Sequence, residues 1–147
     1  MIDCHICPIC QKDPTAHSFQ QITTKNNFVN LFYTCSAKAT QYFDHAGVIN
    51  HIDLLLIEND NKPWVWVFDC TDFSFAHAME INLGLAISKM ITQKYGDSLL
   101  KIWIIHPTWT VQLMMNAIWP FLMKDLKRKV EITHYSLVEI QNFEVCI

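Results

Sequence analysis

The chain has 147 residues, long enough for one domain that buries roughly two-thirds of its unfolded surface, so no disulfide framework is needed to hold it. With 51% hydrophobic residues, 17% charged residues and 3 glycines, it is neither disordered nor of low complexity. A net charge of -3 and a pI near 6.1 exclude a general phosphate-backbone binder, which relies on a broad basic surface, so nucleic acid is not an expected partner.

The first residues, MIDCHICPICQKDP, lack the basic start and long apolar run of a secretory signal, and the chain is read as intracellular, cytoplasmic or peripheral to a membrane. Of the six cysteines, Cys35, Cys70 and Cys146 stand alone in apolar stretches, where a thiol behaves as a small hydrophobe. Cys4, Cys7 and Cys10, with His5 and His17, have chelator-like spacing, but a closed zinc site needs four ligands, usually as two well-separated pairs. Cys4, Cys7, Cys10 and His17 are therefore metal candidates only. The expectation is no bound metal and a reduced tail over residues 1–27, with the folded domain over residues 28–147.

Residues 28–35, FVNLFYTC, are aromatic and β-branched and predict a strand. In residues 44–58 the apolar positions Val48, Ile49, Ile52, Leu55 and Leu56 fall at helical spacing, with Asp44 placed to cap the start. The breaker run NDNKP then leads into WVWVFDC at 64–70, whose lack of alternation predicts a strand covered on both faces. A helix is expected over 77–95, a second buried strand over 101–105 ending at Pro107, and a helix from about 109 to 124, kinked at Pro120. A short strand at 129–133 and a last helical turn at 136–141 complete the series. The alternating order implies an α/β fold with a single mostly parallel sheet, helices on both faces and right-handed crossovers.

The helix at 109–124 is apolar on nearly every side, and only Gln112 and Asn116 are clearly polar. Such a helix must be enclosed by protein, set in lipid or laid over an apolar cavity. It is too short, and too interrupted by Gln112, Asn116 and Pro120, to span a membrane. Beside it, Lys124, Lys127, Arg128 and Lys129 form a basic elbow, which is either a solvated turn or a local meeting point for anionic lipid heads.

Residues 28–140 resemble the CRAL-TRIO lipid-binding domain, through WVWVFDCTDFS at 64–74 and KYGDSLLKIWIIHPTWTVQLMMNAIWPFLMKDLKRKVEI at 94–132. His106, Pro107, Thr108 and Trp109, with KVEITHYSLVEI at 129–140, look most like the BCH subgroup, whose members often lack the N-terminal helical lobe, as this chain does. The family's Leu-Pro and Tyr-Gly-Gly ending is absent. By this resemblance the helix from Trp109 is a gate over an apolar pocket, with Trp109, Leu113, Met114, Met115, Ile118 and Leu122 as its lipid-facing candidates. The resemblance also implies headgroup contacts from Asp97 and Lys129, although Leu126 stands where the family pattern has a Thr.

Asp69, Asp72 and His106 fall at the carboxyl ends of expected strands, where open α/β sheets bind ligands. No Gly-rich phosphate loop, G-x-S-x-G elbow or H-E-x-x-H accompanies them, and the chain is read as non-enzymatic, these three being turn, cap and structural residues. Two functions remain open. One is a lipid-binding or lipid-transfer module for a lipid or small hydrophobic ligand, with peripheral membrane contact. The other is a BCH-like scaffold or structural subunit that self-associates or binds a small GTPase or a larger assembly, because the missing lobe would leave sheet surface to be covered.

Overall fold

A computed structural model describes residues 5–25 and 28–143; Cys4 and Cys146 lie outside them. The elements run α1 (Pro8–Lys12), β1 (Gln20–Ile22), β2 (Asn30–Thr34), α2 (His45–Asn59), β3 (Trp64–Asp69), α3 (Phe75–Ala78), α4 (Ile81–Met90), β4 (Leu99–Ile105), α5 (Trp109–Ile118), α6 (Lys124–Lys129), β5 (Val130–Ile132) and α7 (Leu137–Gln141). Among the described residues the strands form one sheet in the order β1-β2-β3-β4-β5, with β1 antiparallel to β2 and the remaining pairs parallel. The mostly parallel α/β architecture expected from the alternating pattern is thus present.

Because each parallel strand is added on the same side of the last, right-handed crossovers carry α2, α4 and α5 to one face. That face buries Phe32, Trp64, Trp66 and Ile102 under Ile52, Leu55 and Leu56 of α2, Ile91 and Tyr95 beyond α4, and Ile118 of α5. The opposite face buries Leu31, Tyr33, Val65, Val67, Trp103 and Ile105 beneath Ile140 and Leu137 of α7, with Phe143 beside them. Helices therefore lie on both faces, very unequally. The face expected to need covering from outside is closed by Leu137, Ile140 and Phe143, and Val67 and Ile105 are fully buried.

Local chemistry sets most boundaries. Asp44 caps α2 by accepting from the Gly47 N–H at 3.2 Å, and α2 ends at Asp60 in the left-handed conformation, inside the breaker run. Ser136 and His77 take part in capping boxes, at α7 and α3 respectively. The helix expected over 77–95 is in fact two. Ser74 starts α3 early, the chain turns at Met79, and α4 begins after Glu80, whose carboxylate holds His45 at 2.5 Å. The backbone then widens into a π-helical turn over Ile91–Tyr95. Apolar periodicity does not register the break, because Ala78 of α3 and Leu83 of α4 are both buried while Phe75 and Met79 are exposed. Pro120 ends α5 rather than kinking it, with a 3₁₀ turn over Trp119–Phe121. The basic elbow is itself helical, with Asp125 in its first turn and Lys127, Arg128 and Lys129 in its last, the charge order that suits the helix dipole.

Residues 1–27, expected as a tail, supply β1 and α1, and Phe19 is 2% exposed, stacked on Phe32 at 4.9 Å.

Candidate functional site

Between the sheet and the α2, α4 and α5 layer lies a cavity of about 140 Å³. Its floor is Trp66 and Phe68 of β3 with Ile102 and Ile104 of β4. Ile52 of α2, Leu83 and Ile87 of α4, and Val111, Met114, Met115 and Ile118 of α5 roof it, and Leu122, Leu126 and Val130 close the β5 side. On the β2 side the wall is mixed, built from His17, Ser18, Phe19, Ser36, Tyr42 and His51. Most of these polar groups are satisfied within the protein: Ser18 Oγ accepts from the Cys35 N–H at 2.8 Å, and Tyr42 donates to the His77 carbonyl at 3.2 Å. Among the described residues, His17 Nε2 is the one buried side-chain nitrogen or oxygen without a hydrogen-bond partner.

The roof is built on a short helix. Thr108 caps α5 by accepting from the Val111 N–H at 3.3 Å, and Pro120 cuts it off below, so the α-helix spans ten residues between its cap and a 3₁₀ turn. Gly84 on α4 faces Met114, and a Cβ at Gly84 would stand 3.0 Å from the Met114 Cε. Methionine reshapes readily around whatever it meets, and two of the roof side chains are Met. Of the gate candidates, Met114, Met115, Ile118 and Leu122 line the cavity. Trp109 and Leu113 point outward instead, Trp109 being 71% exposed with its ring 6.5 Å from that of Phe75. Phe121 and Met123 are exposed as well, so α5 and its continuation present apolar surface both to the hollow and to solvent.

The candidate headgroup residues divide. Lys129 donates to the Gly96 carbonyl at 2.6 Å and pairs with Asp125 at 2.9 Å, so it braces the turn before β4 beside the exposed Asp97. Arg128 also pairs with Asp125, at 2.6 Å, and these hydrogen bonds hold the Asp125 carboxyl below its ordinary range. Lys127 sits over the Trp119 ring at 5.7 Å, and Lys124 is exposed at the start of α6. Cations and exposed aromatic side chains thus meet on one rim.

The N-terminal candidates converge elsewhere. Cys7 immediately precedes α1, Cys10 is inside it, and both sulfurs approach His17 Nδ1, at 3.6 and 3.5 Å. Cys10 Sγ is also 3.5 Å from Nδ1 of His51, a residue on α2 that sequence spacing did not single out. Its one trace in the sequence is a polar side chain on the α2 face that carries Val48, Ile52 and Leu55. Burial pushes the pKa of both imidazoles down, so both are held neutral. Cys35 and Cys70 are buried, as their apolar surroundings implied, and burial pushes the Cys70 thiol up to about 12.

At the strand ends, Asp69 accepts from the Tyr33 hydroxyl at 2.6 Å and from the Thr71 hydroxyl and N–H at 2.7 and 3.0 Å. Burial opposes its ionisation, but these donors outweigh it and keep the carboxyl below its ordinary value. Asp72 and His106 adopt left-handed backbone, at φ 58° and 49°, where they turn the chain out of β3 and β4. Among the described residues no helix is long and apolar enough to cross a membrane.

A mostly parallel sheet with a cavity beneath a methionine-containing helical layer defines an α/β domain with an apolar hollow. The chain belongs to the CRAL/TRIO domain family, whose model matches residues 4–143 and so takes in the N-terminal segment as well. No curated protein matches the chain.

Proposed function

We propose that this chain is a non-enzymatic carrier that holds a small or single-chain hydrophobic ligand under α5 and exchanges it at an anionic membrane surface. The observation that carries this reading is the apolar cavity of about 140 Å³ whose roof is Met114, Met115 and Ile118. An apolar hollow of about 150 Å³ is large enough to take up a benzene-sized guest, whereas pockets for drug-sized ligands run from about 300 Å³. The resting cavity therefore suits a ring or a short length of chain, and anything larger requires α5 to lift. His17 Nε2, buried at the polar wall, favours a ligand with one hydrogen-bond acceptor, such as a carboxyl or carbonyl group.

Membrane exchange is supported by the rim, where Trp119, Phe121 and Met123 are exposed next to Lys124, Lys127 and Arg128. Aromatic and basic side chains in that combination suit the interface of an anionic bilayer. The test is native mass spectrometry of the purified chain, followed by extraction and by uptake of a fluorescent fatty acid from phosphatidylcholine–phosphatidylserine vesicles. One bound ligand per chain and uptake that Ile118→Trp abolishes support the proposal. A ligand-free mass with no uptake overturns it.

A scaffold reading has one observation in its favour. The BCH-like sequence His106, Pro107, Thr108 and Trp109 turns Trp109 outward beside Phe75 and Leu113, an apolar patch suited to a protein partner. The motive once drawn from an uncovered sheet is gone, since α7 buries that face. Light scattering over a dilution series separates the two. Self-association removed by Trp109→Ala, without ligand uptake, favours the scaffold.

A further inference from the structure

Four metal-type ligands from separate parts of the chain meet in one buried cluster: Cys7 just before α1, Cys10 within it, His17 from the segment before β1, and His51 from the middle of α2. We propose that this cluster is a structural zinc site, closing a tetrahedron of two thiolates and two imidazoles around one Zn²⁺.

The geometry is the first support. Zinc–sulfur bonds of about 2.3 Å and zinc–nitrogen bonds of about 2.0 Å, set at the tetrahedral angle, require sulfur and nitrogen to stand about 3.5 Å apart. Three of the four sulfur–nitrogen separations are 3.6, 3.5 and 3.5 Å, and all four ligand atoms lie within 4.8 Å of one another. The shortest contacts already match a shared ion, and the widest needs only modest closure.

Tautomer and ligand chemistry agree with this. His51 Nε2 is 2.7 Å from the Phe19 carbonyl, which can only accept, so that nitrogen carries the proton and Nδ1 turns its lone pair to the cluster. A ring nitrogen fixed by a backbone carbonyl behind it is the usual outer support of a metal-binding imidazole. Two sulfurs and two nitrogens select zinc over calcium or magnesium, which require oxygen ligands. Four protein ligands leave no open position, so the ion serves architecture rather than catalysis. Cys7 and Cys10 are not joined in a disulfide, and binding displaces one proton from each thiol with no change of oxidation state.

The fold gives the ion something to do. The apolar cluster under α1 consists of Cys7, Cys10 and Ala16, with Ile9 at its edge, a small anchorage for the α1 turn, which lies ahead of the β1–β2 pairing and of Phe19. Zinc would bolt that segment to α2, and with it His17 and Phe19, which form the polar wall of the cavity.

The experiment uses the full chain without an affinity tag, expressed with zinc and purified without chelator. Elemental analysis is expected to find one zinc per chain, and X-ray absorption to find two sulfurs at about 2.3 Å and two nitrogens at about 2.0 Å. Cobalt(II) added to the stripped protein should give the visible bands of a tetrahedral thiolate site. Cys10→Ser and His51→Gln should each lose the metal, and because either variant can fail to fold, the absorption spectrum of the unaltered chain decides. Substoichiometric zinc without a tetrahedral cobalt spectrum overturns the proposal, as does an intact mass showing a Cys7–Cys10 disulfide. No lipid enters these measurements, so their outcome is independent of the carrier reading.

Discussion

The two faces of the sheet use the same kind of residue to opposite ends. Beneath α7, Val65, Val67, Trp103 and Ile105 are closed over by a five-residue helix and Phe143. Beneath α2, α4 and α5 far more apolar side chain is available, yet a hollow of about 140 Å³ remains. Filling space is therefore not a matter of how much hydrophobic surface a layer brings. The α7 side chains Leu137 and Ile140, with Phe143, settle directly onto Val65, Val67, Trp103 and Ile105, whereas the side chains of three separate helices meet over Trp66 and Phe68 and leave a gap that methionines only partly take up.

The contrast is broken most sharply on the sealed face. Trp103 is 3% exposed, its ring 5.7 Å from that of Phe143, and its Nε1 donates to Glu131 at 2.9 Å. Trp103→Ala should cost about 3–5 kcal/mol and lower Tm by roughly 10 °C in a thermal melt. A loss of less than about 1 kcal/mol would mean that α7 is not seated there. On the hollow side Met114→Ala should cost less, about 2 kcal/mol, because Met114 already lacks neighbours on its cavity side. The same variant should increase uptake of small apolar guests, measured by equilibrium binding of a fluorescent probe. Equal losses on the two faces would erase the difference drawn between them.

Acid offers a gentler probe. Over the hollow face, Asp53 of α2 accepts from Lys94 at 2.6 Å and from the Tyr95 hydroxyl, clamping α2 to the π-helical end of α4. Partial burial raises the Asp53 carboxyl, but these two donors outweigh it and leave its pKa below the ordinary 3.8. A carboxylate depressed by folding contributes stability that is complete above its unfolded pKa and is lost as pH falls through the folded value. Unfolding free energy should therefore decline below about pH 4, and Asp53→Asn should flatten that decline while costing about 1 kcal/mol at neutral pH. Denaturant titrations at several pH values measure both; an unchanged acid slope would show that the clamp carries no linkage.

What the sequence made legible follows from the range of the forces involved. Asp44 with its helical run, the unbroken WVWVFDC strand and the all-round apolar helix from Trp109 are local patterns, and each appears within a few residues of where periodicity and capping place it. The strand Gln20–Ile22 has no such pattern, since it is three residues long and mostly polar, and exists through its pairing with Leu31, Phe32 and Tyr33. The lysine-rich α6 has one buried side chain, Leu126, too little to mark a stripe. The methionines of the cavity roof could be named from sequence, but the hollow itself could not, because residual volume belongs to the spacing of three helices and a sheet. His51 was hidden for a related reason: its partner Cys10 is 41 residues away.

The finest probe of the hollow face is Gly84. In mid-helix, glycine gives up about 1 kcal/mol relative to alanine through backbone freedom alone. A methyl group at Gly84 meets the Met114 Cε at 3.0 Å, which is too close without adjustment, but that atom is the free end of a flexible side chain bordering empty space. Met114 can swing toward the hollow at little cost, so Gly84→Ala should stabilise the chain by about 0.5 kcal/mol in chemical denaturation while it weakens ligand uptake. On a sealed face the same contact would have nowhere to go and would destabilise. The sign of this small effect therefore reports whether the space beneath α5 is open. Stabilisation joined to weaker uptake is what a working cavity requires, and destabilisation would mean that the roof is already packed.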